Sequence, residues 1–175
     1  MNKIIKPLDI KKQIYYELTP ERLAILDLIA YTEGTDKTIG STKAGFDTIY
    51  GYKKFTPGKD HPRKKVTSGG FTSTAAGRYQ IIDNTWDWLQ QKLKQTGFVS
   101  FPSFAPIYQD QAALFLIDAK RDSMKEVDSE NLNGFLEKCS WEWASLPPAR
   151  YPPQKTLPKE KCWQVYRQLL NLWKS

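Results

Sequence analysis

Apolar residues recur at helical spacing in several separated stretches of the chain. In the first, Thr19-Pro20-Glu21 reads as a helix start, with Thr19 as N-cap, Pro20 at the first helical position and an acid in the first turn. Leu23, Leu26, Ile29 and Ala30 continue the pattern, and Gly34 directly after Glu33 supplies the stop. Residues 35 to 80 change character. Gly40, Gly45, Gly51, Gly58, Gly69, Gly70 and Gly77 fall there among Tyr, Phe, Thr and Val, which predicts short strands and loops. Helical spacing returns at Asp83 or Asn84 as cap, with Trp86, Leu89 and Leu93 on one face and Gly97 at the stop. A further helix is expected after Pro106, carrying Ala113, Leu114, Leu116 and Ile117 to about Arg121, and a shorter one over Leu132 to Cys139. Pro147, Pro148, Pro152, Pro153 and Pro158 impose an irregular stretch before a last helix with the stripe Cys162, Val165, Tyr166, Leu169, Leu170 and Trp173. No internal repeat or linker interrupts this order. The expected class is α+β: mostly helical, with a small glycine-rich sheet.

At 175 residues the chain is long enough to bury about 70% of its unfolded surface in one core. We expect an N-terminal extension over residues 1–18 and a single domain over residues 19–175. The extension is basic and holds apolar Ile4, Ile5, Leu8 and Ile10, as a loose arm or a short packed element. It lacks the continuous apolar stretch of an export signal, because Pro7, Asp9, Lys11 and Lys12 interrupt it. No segment approaches the roughly 18 apolar residues of a membrane span. The expected location is therefore the cytoplasm.

A net charge of +7 implies attraction to polyanions: nucleic acids, anionic lipids or bacterial envelope polymers. Lys53, Lys54, Lys59, Arg63, Lys64 and Lys65 cluster in the glycine-rich segment, either as a solvated face or as a contact for an anionic wall. The basic residues of the last helix, Lys159, Lys161, Arg167 and Lys174, leave a membrane-surface role open beside core packing of its stripe. Cys139 and Cys162 are expected as free thiols in a chain of this size. The single His61 excludes a site of several histidines, and no Cys-x-x-Cys or carboxylate cluster stands in for one. Neither a metal nor a cofactor is expected.

Glu33 is the residue with chemical promise. It lies seven residues after Leu26 and four after Ile29, so it extends the apolar face of the first helix. Partial desolvation and the negative end of the helix both favour its protonated form. A carboxyl that stays protonated near neutrality suits general-acid cleavage of a glycosidic bond. The plain alternative is an exposed glutamate beside a capping glycine.

Several short motifs stand in a telling order. They are Tyr31-Thr32-Glu33-Gly34-Thr35-Asp36, Gly45-Phe46-Asp47-Thr48-Ile49, Phe55-Thr56, Asp60-His61-Pro62-Arg63-Lys64, Ser73-Thr74-Ala75-Ala76-Gly77-Arg78-Tyr79-Gln80, Trp86 and Trp143-Ala144-Ser145-Leu146-Pro147. Over roughly residues 20 to 155 this order resembles the phage lambda endolysin family, soluble lytic transglycosylases with a lysozyme-like fold.

The resemblance implies a helical domain whose small sheet flanks an active-site cleft, with Glu33 as the single catalytic glutamate. In that family the glutamate protonates the bond between N-acetylmuramic acid and N-acetylglucosamine, then takes the proton of the muramic C6 hydroxyl. The product carries a 1,6-anhydro end. The resemblance also assigns Asp47, Tyr79, Gln80, Ser145 and Tyr151 to substrate binding. Asp36 is expected to cap its loop, and His61 to hold a loop rather than to act as a base. Pro148-Ala149-Arg150 departs from the family's glycine-rich run after Ser-Leu-Pro, which alters the rim of the cleft.

Trp141, Trp143, Trp163 and Trp173 are expected in the core, with sugar stacking as the alternative. The implied partners are peptidoglycan glycan strands and a holin that opens the membrane. We expect a monomer, held in the host cytoplasm until lysis and then acting on the wall. Other readings are a hydrolytic lysozyme of the same fold and a non-catalytic wall-binding module. Nucleic-acid binding follows from charge alone, and no motif supports it.

Overall fold

The computed structural model describes residues 8–9, 11–40 and 43–175; Ile4, Ile5 and Ile10 of the basic N-terminal segment lie outside them. The chain divides into two compact units, one of Met1–Glu17 with Ala44–Phe115 and one of Leu18–Lys43 with Leu116–Ser175. One break, between Glu17 and Leu18, lies beside the expected boundary after residue 18, and the stretch before it groups with Ala44–Phe115. Tyr15 and Tyr16 are each only 5% exposed, and the backbone N–H groups of both donate to Gln111 Oε1 at 2.8 Å. Gln111 returns a hydrogen bond from Nε2 to the Tyr16 carbonyl at 2.9 Å. The Tyr15 hydroxyl donates to the Val99 carbonyl at 2.5 Å, and its ring packs on Phe98 and Phe101. This stretch is part of the first unit's core.

In the first unit, residues 44–82 form two separate ribbons rather than one sheet. Strands β1 (Thr48–Ile49) and β2 (Lys53–Lys54) pair antiparallel across a tight turn, and β3 (Val66–Ser68) pairs antiparallel with β4 (Phe71–Ser73). Single bridges from Ile49 to Ala76 and from Ala76 to Ile81 tie the next loop to the first ribbon. Helix α1 (Pro20–Glu33) belongs to the second unit; the first holds α2 (Asp83–Gln95) and α3 (Pro106–Phe115), which pack together. Trp86, Leu89 and Leu93 form the buried face of α2, as their spacing predicts.

In the second unit, α1 (Pro20–Glu33) packs against α4 (Met124–Asp128) and α6 (Lys159–Lys174). Thr19 caps it by accepting from the Arg22 N–H, and Pro20 stands at its first position. The expected single stripe on α1 is corrected. Ala24 to Ala30 are buried on every side, including Asp27, so α1 is a central helix and Leu23 lies at its half-buried end. Such a helix is apolar all round instead of amphipathic. Asp27 is accommodated by the Trp173 indole N–H, which donates to Oδ2 at 2.7 Å. A π-helical turn, Leu116–Lys120, continues the chain from α3, and α5 spans Leu132–Cys139.

Helix α6 buries Cys162, Val165, Tyr166, Leu169 and Leu170, so its stripe serves the core. Cys139 and Cys162 are free and buried. Among the described residues no helix is long and apolar enough to cross a membrane.

Candidate active site

Glu33 is the last residue of α1, and the helix ends there because Gly34 adopts the left-handed conformation with φ 76°. The Gly34 N–H donates to the Tyr31 carbonyl, and the Thr35 and Asp36 N–H groups to the Ala30 carbonyl. Asp36 turns away to cap its own loop, accepting from the Thr38 N–H at 3.0 Å and from its hydroxyl at 2.6 Å. It fills the loop role expected of it.

The loop that follows α5 delivers Ser145 to Glu33. Backbone N–H groups of Glu142 and Trp143 donate to the Cys139 carbonyl, and that of Leu146 to the Trp143 carbonyl, folding the segment into successive turns. Trp143 and Leu146 anchor it in the core at 4% and 0% exposure. Between them, buried Ser145 donates its hydroxyl to Glu33 Oε1 at 2.6 Å. Ser145 Oγ also lies 3.1 Å from Thr32 Oγ1, and the Thr32 hydroxyl lies 3.0 Å from the Ile29 carbonyl that accepts from it. Thr32 Oγ1 thus stands beside the serine hydroxyl, one residue before Glu33. Nothing in its sequence position marked it for that place beyond adjacency to Glu33.

Burial of the carboxyl is the larger influence on Glu33 and pushes its pKa up from the ordinary 4.5 to about 7; the Ser145 hydrogen bond pulls in the opposite direction. The side chain stays half-buried rather than sealed. Among the described residues no charged neighbour contributes to the shift. A carboxyl titrating near 7 is equally able to give and to take a proton at neutral pH.

The first unit holds three of the expected contacts, Asp47, Tyr79 and Gln80, and it corrects one of them. Tyr79 has no exposed surface, and its hydroxyl donates to Asp110 Oδ1 while its ring meets Phe46 edge-on. It is a core residue because its polar tip has a buried acceptor to satisfy. Gln80 is half-buried with φ 47°, and its Nε2 donates to the carbonyls of Thr48 at 3.1 Å and Gly77 at 2.9 Å. Fixing the nitrogen leaves Oε1 as its available acceptor. Asp47 is half-exposed and pairs with Lys54 Nζ at 2.7 Å.

The Gly-Arg-Tyr-Gln motif has a local physical reason. Gly77 has φ 77°, and a Cβ there would stand 2.1 Å from Gln109 Oε1. That same Oε1 accepts the Arg78 N–H at 2.9 Å, and Gln109 Nε2 donates to the Phe46 and Phe104 carbonyls. Arg78 is itself buried, with its guanidinium on the Ala44 carbonyl and over the Phe46 ring. The motif is a buried junction from which only Gln80 emerges.

His61 is structural. It is 3% exposed, its Nε2 lies 2.7 Å from the Ile81 carbonyl, and its Nδ1 accepts the Arg63 N–H at 3.1 Å. Those partners require the neutral form with the proton on Nε2. Burial lowers its pKa further. Tyr151 lies on the loop after Ser145 but not on Glu33; its hydroxyl donates to the Trp141 carbonyl at 2.9 Å. Among the described residues no group of three or more His, Cys, Asp or Glu is placed to hold a metal ion.

The sequence profile of the family described as Endolysin matches residues 23–171. The chain belongs to the endolysin family. It is 38% identical over 137 residues to the endolysin of Escherichia phage lambda, spanning 77% of this chain and 82% of that protein. The endolysin of Escherichia phage P2 is 32% identical over 155 residues, spanning 82% and 89% of the two chains. A structure of bacteriophage lambda lysozyme complexed with a chitohexasaccharide aligns with a TM-score of 0.76 and 33% identity, covering 88% of this chain and 96% of that one. A second structure of the lambda lysozyme aligns at 0.68 and 32% identity, covering 91% and 95%. This endolysin therefore has the lysozyme-like α+β fold and is a peptidoglycan-degrading enzyme.

Proposed function

We propose that this endolysin is a lytic transglycosylase, with Glu33 as its only acid/base group. The observation that carries the reading is a half-buried carboxyl raised to about 7 with, among the described residues, a single hydroxyl partner and no charged group influencing it. Glycosidases that use two carboxylates hold them about 5 to 9.5 Å apart. A second carboxylate at the close end of that range would act on the titration of the first. The raised value of Glu33 arises without such a group.

Protonated Glu33 gives its proton to the oxygen joining C1 of N-acetylmuramic acid to N-acetylglucosamine, and the C1–O bond breaks. The carboxylate left behind takes the proton of the muramic C6 hydroxyl as O6 bonds to C1. The enzyme regains its proton, and no water is consumed. Ser145 donates to the carboxylate stage and holds the group in place, while Gln80 Oε1 and Asp47 are proposed substrate contacts. The lambda lysozyme bound to a chitohexasaccharide supports a glycan strand as ligand. The same reading keeps the enzyme in the host cytoplasm until a holin opens the membrane, and then has it act on the wall as a monomer.

Digestion of purified peptidoglycan in ¹⁸O-enriched water tests the reaction. Anhydro ends free of the label are expected; reducing ends carrying one ¹⁸O would make the enzyme a hydrolase.

A further inference from the structure

The loop that carries Ser145 also carries an exposed aromatic platform that catalysis at Glu33 does not use. Trp141 is 47% exposed and Tyr151 45%, in a fold that buries Trp86 and Trp143 almost completely. Their rings meet edge to face, with centroids 6.1 Å apart at 90°. The pair is fixed from several sides. Tyr151 donates its hydroxyl to the Trp141 carbonyl at 2.9 Å, and Arg121 Nη2 donates to the same carbonyl at 2.9 Å. The Arg150 guanidinium lies over the indole, 4.6 Å from its centroid. Arg150 is held in turn by Glu137 Oε1 at 2.5 Å and by Ser140 Oγ at 3.1 Å. The Trp141 indole N–H has no partner among the described residues.

An exposed indole costs solvation, and so many restraints remove the freedom that ordinarily accompanies exposure. A rigid flat apolar face with polar groups around it is the chemistry that recognises a pyranose ring. The cation over the indole is itself paired, Arg150 with Glu137, while Glu142 is shared by Arg121 at 2.7 Å and Lys120 at 3.0 Å. With Arg150 neutralised by Glu137, the groups beside the indole suit an uncharged sugar, whose hydroxyls both donate and accept. Glu137 also lines a recess of about 240 Å³ walled by Leu136, Pro147 and Pro148, with room for an acetamido group. Trp141 stands four residues before Ser145, a span of at most about 14 Å. A sugar on the platform is therefore within a few rings of the bond that Glu33 would protonate.

We propose that Trp141, framed by Arg150 and Tyr151, is a stacking subsite for a neutral N-acetylglucosamine-type sugar of the same glycan strand, distant from the scissile bond. This inference rests on the glycan-cleaving function proposed above. Stacking there strengthens binding of long strands and leaves the chemical step alone.

Calorimetric titration with chitohexaose, which reads binding independently of cleavage, tests it. Trp141→Ala is expected to weaken binding about tenfold and Trp141→Phe about threefold or less, with thermal unfolding of the phenylalanine variant matching wild type. On peptidoglycan the alanine variant is expected to raise KM and keep kcat. Wild-type affinity in both variants overturns the platform, as does equal loss in both. Absence of cleavage by wild type, with the graded loss of binding intact, overturns the transglycosylase reading and leaves the platform standing.

Discussion

The Ser145 hydroxyl donates to Glu33 Oε1 at 2.6 Å across 112 residues of sequence. Among the described residues it is the one hydrogen bond that favours the ionised form of a carboxyl that burial drives toward the protonated one. Ser145→Ala removes that donor, so Glu33 should titrate higher by about one pH unit. The alkaline limb of the pH–rate profile should move up by the same amount while kcat falls, since the carboxylate loses its positioning partner. Rates of muropeptide release between pH 5 and 9 check this; an unmoved limb would remove Ser145 from the site's electrostatics.

Glu33 should also cost the protein stability at working pH. Its folded pKa of about 7 exceeds the unfolded 4.5. The preference of the fold for the protonated side chain is thus fully present below about pH 4.5 and is lost as pH rises through about 7. Glu33→Gln keeps the shape and cannot ionise. It should match wild type near pH 4.5 and exceed it at pH 8 by an amount on the order of 2–3 kcal/mol. Urea unfolding at the two pH values measures the gap, and a gap that does not widen with pH contradicts the raised titration.

His61 contributes in the opposite direction. Its pKa is lowered in the fold by burial, so the stability of its neutral form is present above about 6.5 and is lost as pH falls through the folded value. His61→Ala deletes both the Ile81 and Arg63 contacts and should destabilise by about 2–3 kcal/mol at pH 8, and by less in acid. Chemical denaturation over pH 5 to 8 reads this. A change in the shape of the pH–rate profile would mean that His61 takes part in the chemistry after all.

Much of this site was legible because its elements are local. Thr19, Pro20 and Gly34 bound α1 by backbone rules that need no tertiary contact, and Trp86, Leu89 and Leu93 declare the buried face of α2. What escaped depends on distant partners. Tyr79 stands beside Gln80 in one motif, yet only the position of Asp110 decides that its hydroxyl is buried rather than offered to a sugar. Tyr15 and Tyr16 gave no periodic signal because Gln111, far along the chain, supplies their backbone partners. Helix α4, five residues without a side-chain cap, is too short for periodicity to register.

Gly77 is a backbone position with no room for a side chain. Alanine there would meet Gln109 Oε1 at 2.1 Å and hold φ 77°. Gly77→Ala should destabilise by about 2–4 kcal/mol, because the glutamine cannot move without releasing the Arg78 N–H and two carbonyls. A thermal melt checks it, and a loss under about 0.5 kcal/mol would show that the junction adapts.

The most direct test of the single-carboxylate account is mass spectrometry of soluble products from purified peptidoglycan treated in parallel with wild type and Glu33→Gln. Anhydromuropeptides from wild type, and a rate at least about a thousandfold lower from a folded Glu33→Gln, are the predicted result. Release by the variant within tenfold of wild type would contradict the account, because another group would then be moving the proton.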